Sequence, residues 1–324
     1  MLVPMPPAAR FVGFLLAVLG LLGSSAPSPT APGPATCTAG STQACALVPG
    51  GCATGFQVCS GPGWGACTFD RPPAPPACVT RCTDGSLEGD NLFTAVDRYA
   101  ALRADWTPTD LVPVPAAYRT GDATQRFRSE ALGHLILMLK AQRQASAPPL
   151  FCGSPYRSFE EQCQLFGAYV RADGCTKANT YSAMAGHSEH QLGTACDLVY
   201  SGTNLIRGHT AADAWIHGHA YEHGFLVSYP EGSEALTGYE AEPWHVRYLG
   251  IKAALLHHQM EQDLGRTMST HEFVATIACW PPSRLDDLAT PATADREAAA
   301  QAVREAALSG RKGGPSVTDR SAHP

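Results

Sequence analysis

The chain is short of charge. Only 16% of its 324 residues are Asp, Glu, Lys or Arg, they sum to -6, and no basic block occurs anywhere. Without one there is no electrostatic footprint for nucleic acid or for an anionic membrane surface. No two cysteines stand in a Cys-x2-Cys pair, and no histidine precedes His134. The cysteines from Cys37 to Cys82 therefore lack both the spacing and the imidazoles of a zinc knuckle. A long apolar run is missing too: Phe11 to Leu22 is too short to span a bilayer.

That short run follows Arg10 and precedes Ser24, Ser25 and Ala26, the pattern of a signal peptide over residues 1–26. Export is expected, to a periplasmic or extracellular place at the cell envelope, with no stable membrane insertion after cleavage. Twelve cysteines in an exported chain then read as disulfides. A Pro/Ala/Ser linker (27–36) leads into a Cys-rich module and linker (37–90) with few large apolar residues, so crosslinks must supply its order. The composition becomes globular over 91–283. Beyond it, 284–324 is polar and Ala-rich, with a weak helical pattern at Asp295 to Leu308 and no strong apolar face, and is expected to be disordered or weakly helical.

Within 91–283, Leu132, Leu135, Ile136 and Leu139 mark a helix from Glu130 to Arg143, stopped by Pro148-Pro149. A short strand follows at Leu150 to Cys152. Ser158 with Glu161 forms a capping box for a helix that Gly174 ends. Thr210 with Asp213 opens a helix running to Gly224, Phe225 to Tyr229 reads as a strand, and Ile251 to Leu264 as a further helix. Strands and helices do not alternate regularly. The expected class is α+β: a small antiparallel sheet with surrounding helices holding one metal site, plus the small disulfide-rich N-terminal module.

Three segments carry chemistry: Ser188-Glu189-His190 through Asp197, Glu242-Pro243-Trp244-His245, and Tyr156-Arg157-Ser158 through Gln162. A hydrolytic zinc site needs three protein ligands, an open position for water, and a carboxylate to move the proton. His190, Asp197 and His245 are the candidate ligands of one Zn2+, and Glu242 the candidate base. The seven-residue offset from His190 to Asp197 needs a bend, which Gly193 offers before a strand from Thr194 to Tyr200. A turn at Pro243 brings Glu242 beside His245. Arg157 and Gln162 occupy the two staple positions of a helix N-terminus, so a guanidinium and an amide converge where anions are favoured. A terminal carboxylate or an oxyanion is the natural partner of Arg157.

These segments resemble those of the VanY-type D-alanyl-D-alanine carboxypeptidases, zinc peptidases acting on peptidoglycan stems. Ser188, His190 and Asp197 match the family's Ser-x-His-x6-Asp motif, Glu242 and His245 its Glu-x-x-His, and Tyr156, Arg157, Ser158 and Gln162 its Tyr-Arg-Ser-x-x-x-Gln. The resemblance runs from about Trp106 to Gly250. It implies release of terminal D-alanine from stem peptides, with Glu242 and Arg157 catalytic and with Tyr156, Arg157, Gln162, Ser188 and Trp244 binding substrate. One departure is Pro155, where the family usually has Gly. The N-terminal module is similar to small Cys-rich modules of myxobacteria-like secreted proteins.

Other readings stay open. An endopeptidase or an L,D-carboxypeptidase would use the same centre. A non-catalytic zinc-containing cell-wall-binding module, of the kind the hedgehog signalling domain exemplifies, would not need Glu242. His219-Ala220-Tyr221-Glu222-His223 matches an inverted zinc-peptidase motif, but it ends at Gly224, where histidine is common at a helix C-terminus. Glu189 is expected to face solvent or orient a neighbour. Cys152 with Cys196, and Cys163 with Cys175, are candidate disulfides, and strand alternation turns Cys196 away from the metal face.

Overall fold

The computed structural model describes Cys82, residues 84–145, 148–200 and 204–311, and three further strands, β1 (Thr42–Ala46), β2 (Thr54–Val58) and β3 (Thr68–Phe69). These three form an antiparallel sheet in that order. The expected signal peptide, the 27–36 linker, the pairing of Cys37 to Cys78 and residues 312–324 lie outside the described residues. Among those described, no helix is long and apolar enough to cross a membrane.

A hairpin-like pair, β4 (Leu111–Pro113) and β5 (Arg126–Arg128), leads into α1 (Ser129–Gln144). The functional sheet consists of β6 (Phe151–Ser154), β7 (Ala195–Val199), β8 (Phe225–Val227) and β9 (His245–Tyr248). All pairs are antiparallel and the spatial order is β6-β7-β9-β8. Asp197 lies directly opposite His245, and Cys196 opposite Val246. Because side chains alternate between faces, Asp197, His245 and Arg247 share one face. Cys196, Leu198, Val246 and Tyr248 share the other, which joins Leu132, Leu135, Ile136 and Leu139 of α1 in the main core. A second core lies under α6 (Ile251–Leu264) and α7 (Thr270–Ile277), where Leu226, Met260 and Phe273 pack.

The helix boundaries follow their local signals. Ser158 and Glu161 make the expected reciprocal capping box of α2 (Phe159–Asp173), and Gly174 ends it. A short α3 (Cys175–Tyr181) follows. Thr210 caps α4 (Ala211–His219), but the helix tightens at residue 220 into a 3-10 turn (Ala220–His223) before Gly224. After α5 (Glu234–Thr237), α6 has the bounds its apolar pattern indicates.

Three expectations need correction. First, the globular unit begins before residue 91: Leu87 bridges Leu102, and both pack with Val96, Trp106 and Leu192. Second, Cys163 bonds Cys82 rather than Cys175, which tethers the start of that segment to α2. Cys152–Cys196 forms as expected, and Cys175 and Cys279 are disulfide-bonded as well. Third, the polar stretch after 283 is ordered through residue 311, as α8 (Pro282–Ala289) and α9 (Thr293–Arg311). Ala299, Ala302 and Ala306 of α9 are buried. A stripe this small carries little hydrophobic signal, yet it lets two backbones approach closely.

That approach centres on Gly133 of α1, where an added Cβ would stand 2.5 Å from the Ala299 Cβ and 2.6 Å from its carbonyl oxygen. Gly133→Leu is therefore expected to cost about 3 kcal/mol through overpacking. Gly218→Ala, in open space on α4, is expected to gain about 0.5–1 kcal/mol from backbone entropy. Urea unfolding of the two variants checks both signs. Equal effects would mean that α9 does not pack on α1.

Candidate active site and metal centre

His190 sits in a 3-10 turn (Glu189–Leu192) that Ser188 caps. Gly193 closes it with a left-handed φ of 70°, the bend that carries the chain into β7 and Asp197. His245 opens β9 after a turn in which its N–H donates to the Glu242 carbonyl at 3.0 Å. Pro243 suits the second position of such a turn. One ligand atom from each of His190, Asp197 and His245 lies within 4.8 Å of the others, the only such His/Cys/Asp/Glu triad among the described residues.

The orientation of each imidazole decides whether a metal can sit there. His190 Nδ1 lies 2.7 Å from the Pro155 carbonyl and must donate to it, which leaves the lone pair on Nε2, 3.3 Å from Asp197 Oδ2. His245 is held the opposite way. Its Nε2 donates to Glu189 Oε2 at 3.0 Å, which turns Nδ1 towards Asp197 Oδ1 at 3.1 Å. Both inner nitrogens converge on one carboxylate. Two imidazoles with their outer N–H groups engaged, plus a carboxylate, form a donor set suited to zinc.

Of the two roles expected for Glu189, the structure gives the second: it is buried and orients His245. It accepts from Arg247 Nη1 at 2.8 Å and Ser228 Oγ at 2.6 Å as well as from His245. Arg247, itself fully buried, donates its other amine to the carbonyls of Leu92 and Thr94. The signal was present in the sequence: His245 and Arg247 stand two apart on one strand and so share a face.

The electrostatics follow. Although burial opposes it, Arg247, His245 and Ser228 hold the Glu189 carboxyl down at about 2. Burial likewise works against ionised Asp197, but the two histidines keep its carboxyl well below the usual range. Burial pulls His245 down, yet its bonds to Asp197 and Glu189 carry it up to about 10. His190 is lowered by burial. Glu242 is pushed up to about 8 by burial, with the charges of Asp197 and Glu189 adding to the effect. Its Oε2 lies 3.5 Å from His245 Nδ1.

Arg157 and Gln162 meet as their positions at the start of α2 require. Arg157 donates to Gln162 Oε1 at 2.6 Å and to Ser154 Oγ at 2.7 Å, and Gln162 donates to the Ala183 carbonyl at 2.6 Å. Arg157, Gln162, Ser188, Trp244, Glu242 and the triad all line one cleft of about 350 Å³. Tyr156 is not brought there; its hydroxyl lies 3.4 Å from Thr107 Oγ1. Instead the wall includes Tyr229 together with Tyr169, Tyr181 and Tyr239, three tyrosines the motifs did not single out. His187 binds the Asp97 carbonyl through Nδ1 at 2.6 Å, outside the ligand set. The inverted motif is not assembled: His219 is exposed and paired with Glu222 at 3.5 Å, while His223 lies beyond the break in the helix.

A family model described as VanY: D-alanyl-D-alanine carboxypeptidase matches residues 124–251. The protein YodJ of Bacillus subtilis (strain 168) is 35% identical over 171 residues, 51% of this chain and 62% of that one. A D-alanyl-D-alanine carboxypeptidase of Enterococcus faecalis (strain ATCC 700802 / V583) is 31% identical over 162 residues, 45% of this chain and 59% of that one. The chain thus spans about 60% of the length of these curated relatives. Among solved structures, the LdcB LD-carboxypeptidase is 33% identical with a TM-score of 0.50, over 58% of this chain and 87% of that chain. With the three motifs and their order in agreement, residues 124–251 are a domain of the VanY family.

Proposed function

We propose that the chain is a zinc-dependent carboxypeptidase that removes the terminal D-alanine from peptidoglycan stem peptides outside the cytoplasmic membrane. The observation that carries this reading is a single cleft holding the His190–Asp197–His245 triad, Glu242 and Arg157 together. His190, Asp197 and His245 would hold zinc, which would supply Lewis acidity at the scissile carbonyl. Glu242 takes a proton from the attacking water and delivers it to the leaving amine as the C–N bond breaks. Its raised pKa suits a group that both accepts and returns a proton. Arg157, held rigid by Gln162 and Ser154, engages the free terminal carboxylate. Glu189 and Arg247 keep His245 in its ligating tautomer. The buried Cys152–Cys196 crosslink fits an oxidising compartment.

The test is digestion of purified muropeptides followed by mass spectrometry. Pentapeptide stems are expected to lose one D-alanine, and chelation to abolish the loss until zinc is restored. Arg157→Ala is expected to lower kcat/KM by about 100-fold, the loss of one charge-assisted contact. Amidating the terminal carboxylate of the substrate should cost the parent enzyme a similar factor. Equal cleavage of amidated stems would instead identify an endopeptidase. The likeness to an LD-carboxypeptidase supports a second reading of the same centre, release of D-alanine from tetrapeptide stems. The same digestion separates the two, since only that activity leaves tripeptides.

A further inference from the structure

A second cavity, of about 860 Å³, lies on the far side of the base-bearing turn. It shares Ala241 and Trp244 with the metal-bearing cleft, so the two spaces have a common wall. Along that wall the chain alternates: Glu240 and Glu242 line the cleft, Pro243 lines the second cavity, and Ala241 borders both.

The sheet gives the two cavities an order. Arg157 follows β6, at one edge of the β6-β7-β9-β8 sheet. Asp197 and His245 stand opposite each other on the two central strands. Pro230 and Glu231, which line the second cavity, follow β8 at the other edge. A line across the sheet therefore runs from the carboxylate-reading arginine, over the metal ligands, past Trp244 and into the second cavity. Three inter-strand spacings amount to about 14 Å, the length of roughly four extended residues. With a terminal carboxylate on Arg157 and the scissile carbonyl at the metal ligands, the remaining upstream residues reach the second cavity.

We propose that this second cavity is the binding site for substrate residues upstream of the scissile bond, with Trp244 as the ridge the peptide crosses. This assignment rests on the carboxypeptidase reading. The chemistry of the walls selects a polar peptide rather than an acyl chain. Gln262 and Thr267 offer hydrogen bonds, and the charged rim includes Arg207 and Glu234. Affinity gained here is separate from the chemistry at the metal, so it sets how long a peptide must be to be a good substrate.

Gly208 allows a direct test. It lines the second cavity, and a Cβ added to it meets nothing within 4 Å, so Gly208→Trp adds bulk to the cavity wall from an open position. Hydrolysis is measured for the zinc-loaded full chain on D-Ala-D-Ala and on stem peptides of three, four and five residues with that same end. The parent is expected to gain at least tenfold in kcat/KM between three and five residues. Gly208→Trp is expected to lose that gain and to retain the parent rate on the dipeptide. A flat length series in the parent, or an unchanged gain in Gly208→Trp, overturns the assignment. Should no peptide be cleaved at all, the carboxypeptidase reading falls. The cavity is then judged by calorimetric binding of the pentapeptide alone. Tighter binding than D-Ala-D-Ala, weakened tenfold by Gly208→Trp, supports the site, and no such difference ends it.

Discussion

Glu242→Ala is expected to retain one zinc per chain and to lower kcat on pentapeptide stems by about 10³-fold, the scale of lost general acid–base catalysis. The carboxylate lines the cleft beside the triad without belonging to it. Its backbone is fixed independently of its side chain, by bonds from its N–H to the Tyr229 carbonyl at 2.8 Å and from the His245 N–H to its own carbonyl at 3.0 Å. Removing the side chain therefore leaves the turn and the His245 ligand in place. Metal analysis and steady-state kinetics on the same preparation decide the matter. A variant that keeps zinc and nearly the parent rate would remove Glu242 from the mechanism.

The second large effect separates the two metal motifs. His190→Ala is expected to empty the site and reduce turnover to background, because it removes one of three ligands whose second nitrogen is already committed to the Pro155 carbonyl. His219→Ala is expected to keep bound zinc and near-parent turnover, since that ring is exposed and stacks loosely on Trp215. Zinc content after dialysis and rate on pentapeptide stems are the readouts. The reverse pattern would transfer the active site to the 219–223 segment.

Much of this site is legible in the amino-acid sequence, because its parts are local. The Ser158–Glu161 capping box fixes where α2 starts, and hence that Arg157 and Gln162 converge. Gly193 marks the bend between two ligands, and Pro243 the turn between base and ligand. What is not legible depends on distance along the chain. The crosslink from Cys82 to Cys163 spans 81 residues, and nothing in either neighbourhood favours it over the shorter pairing with Cys175. The burial of Glu189 depends on Arg247 and on carbonyls from residues 92 and 94, brought together only by the fold. Charged residues read as solvent-facing until their partners are known. The helix α9 resembles a tail for a related reason: alanines give a faint apolar stripe, and its worth lies in the glycine it meets on α1.

That last contact bears on where the chain can be cut. The stretch with the family's motifs is 124–251, and the composition turns polar near 283, so either end looks like a natural place to truncate. Yet α9 covers the flank of α1 whose other flank underlies the sheet, and Lys140 and Glu305 clasp the two helices at 3.0 Å. At the opposite end, Leu92 and Thr94 hold the arginine behind His245. A fragment trimmed to the motif-bearing core would keep every ligand in its sequence. It would lose the scaffolding at both margins, exposing the Gly133 groove as an aggregation-prone surface and loosening the metal's outer support. The smallest unit expected to fold cooperatively therefore runs from about residue 84 to residue 311, far beyond the part that does the chemistry.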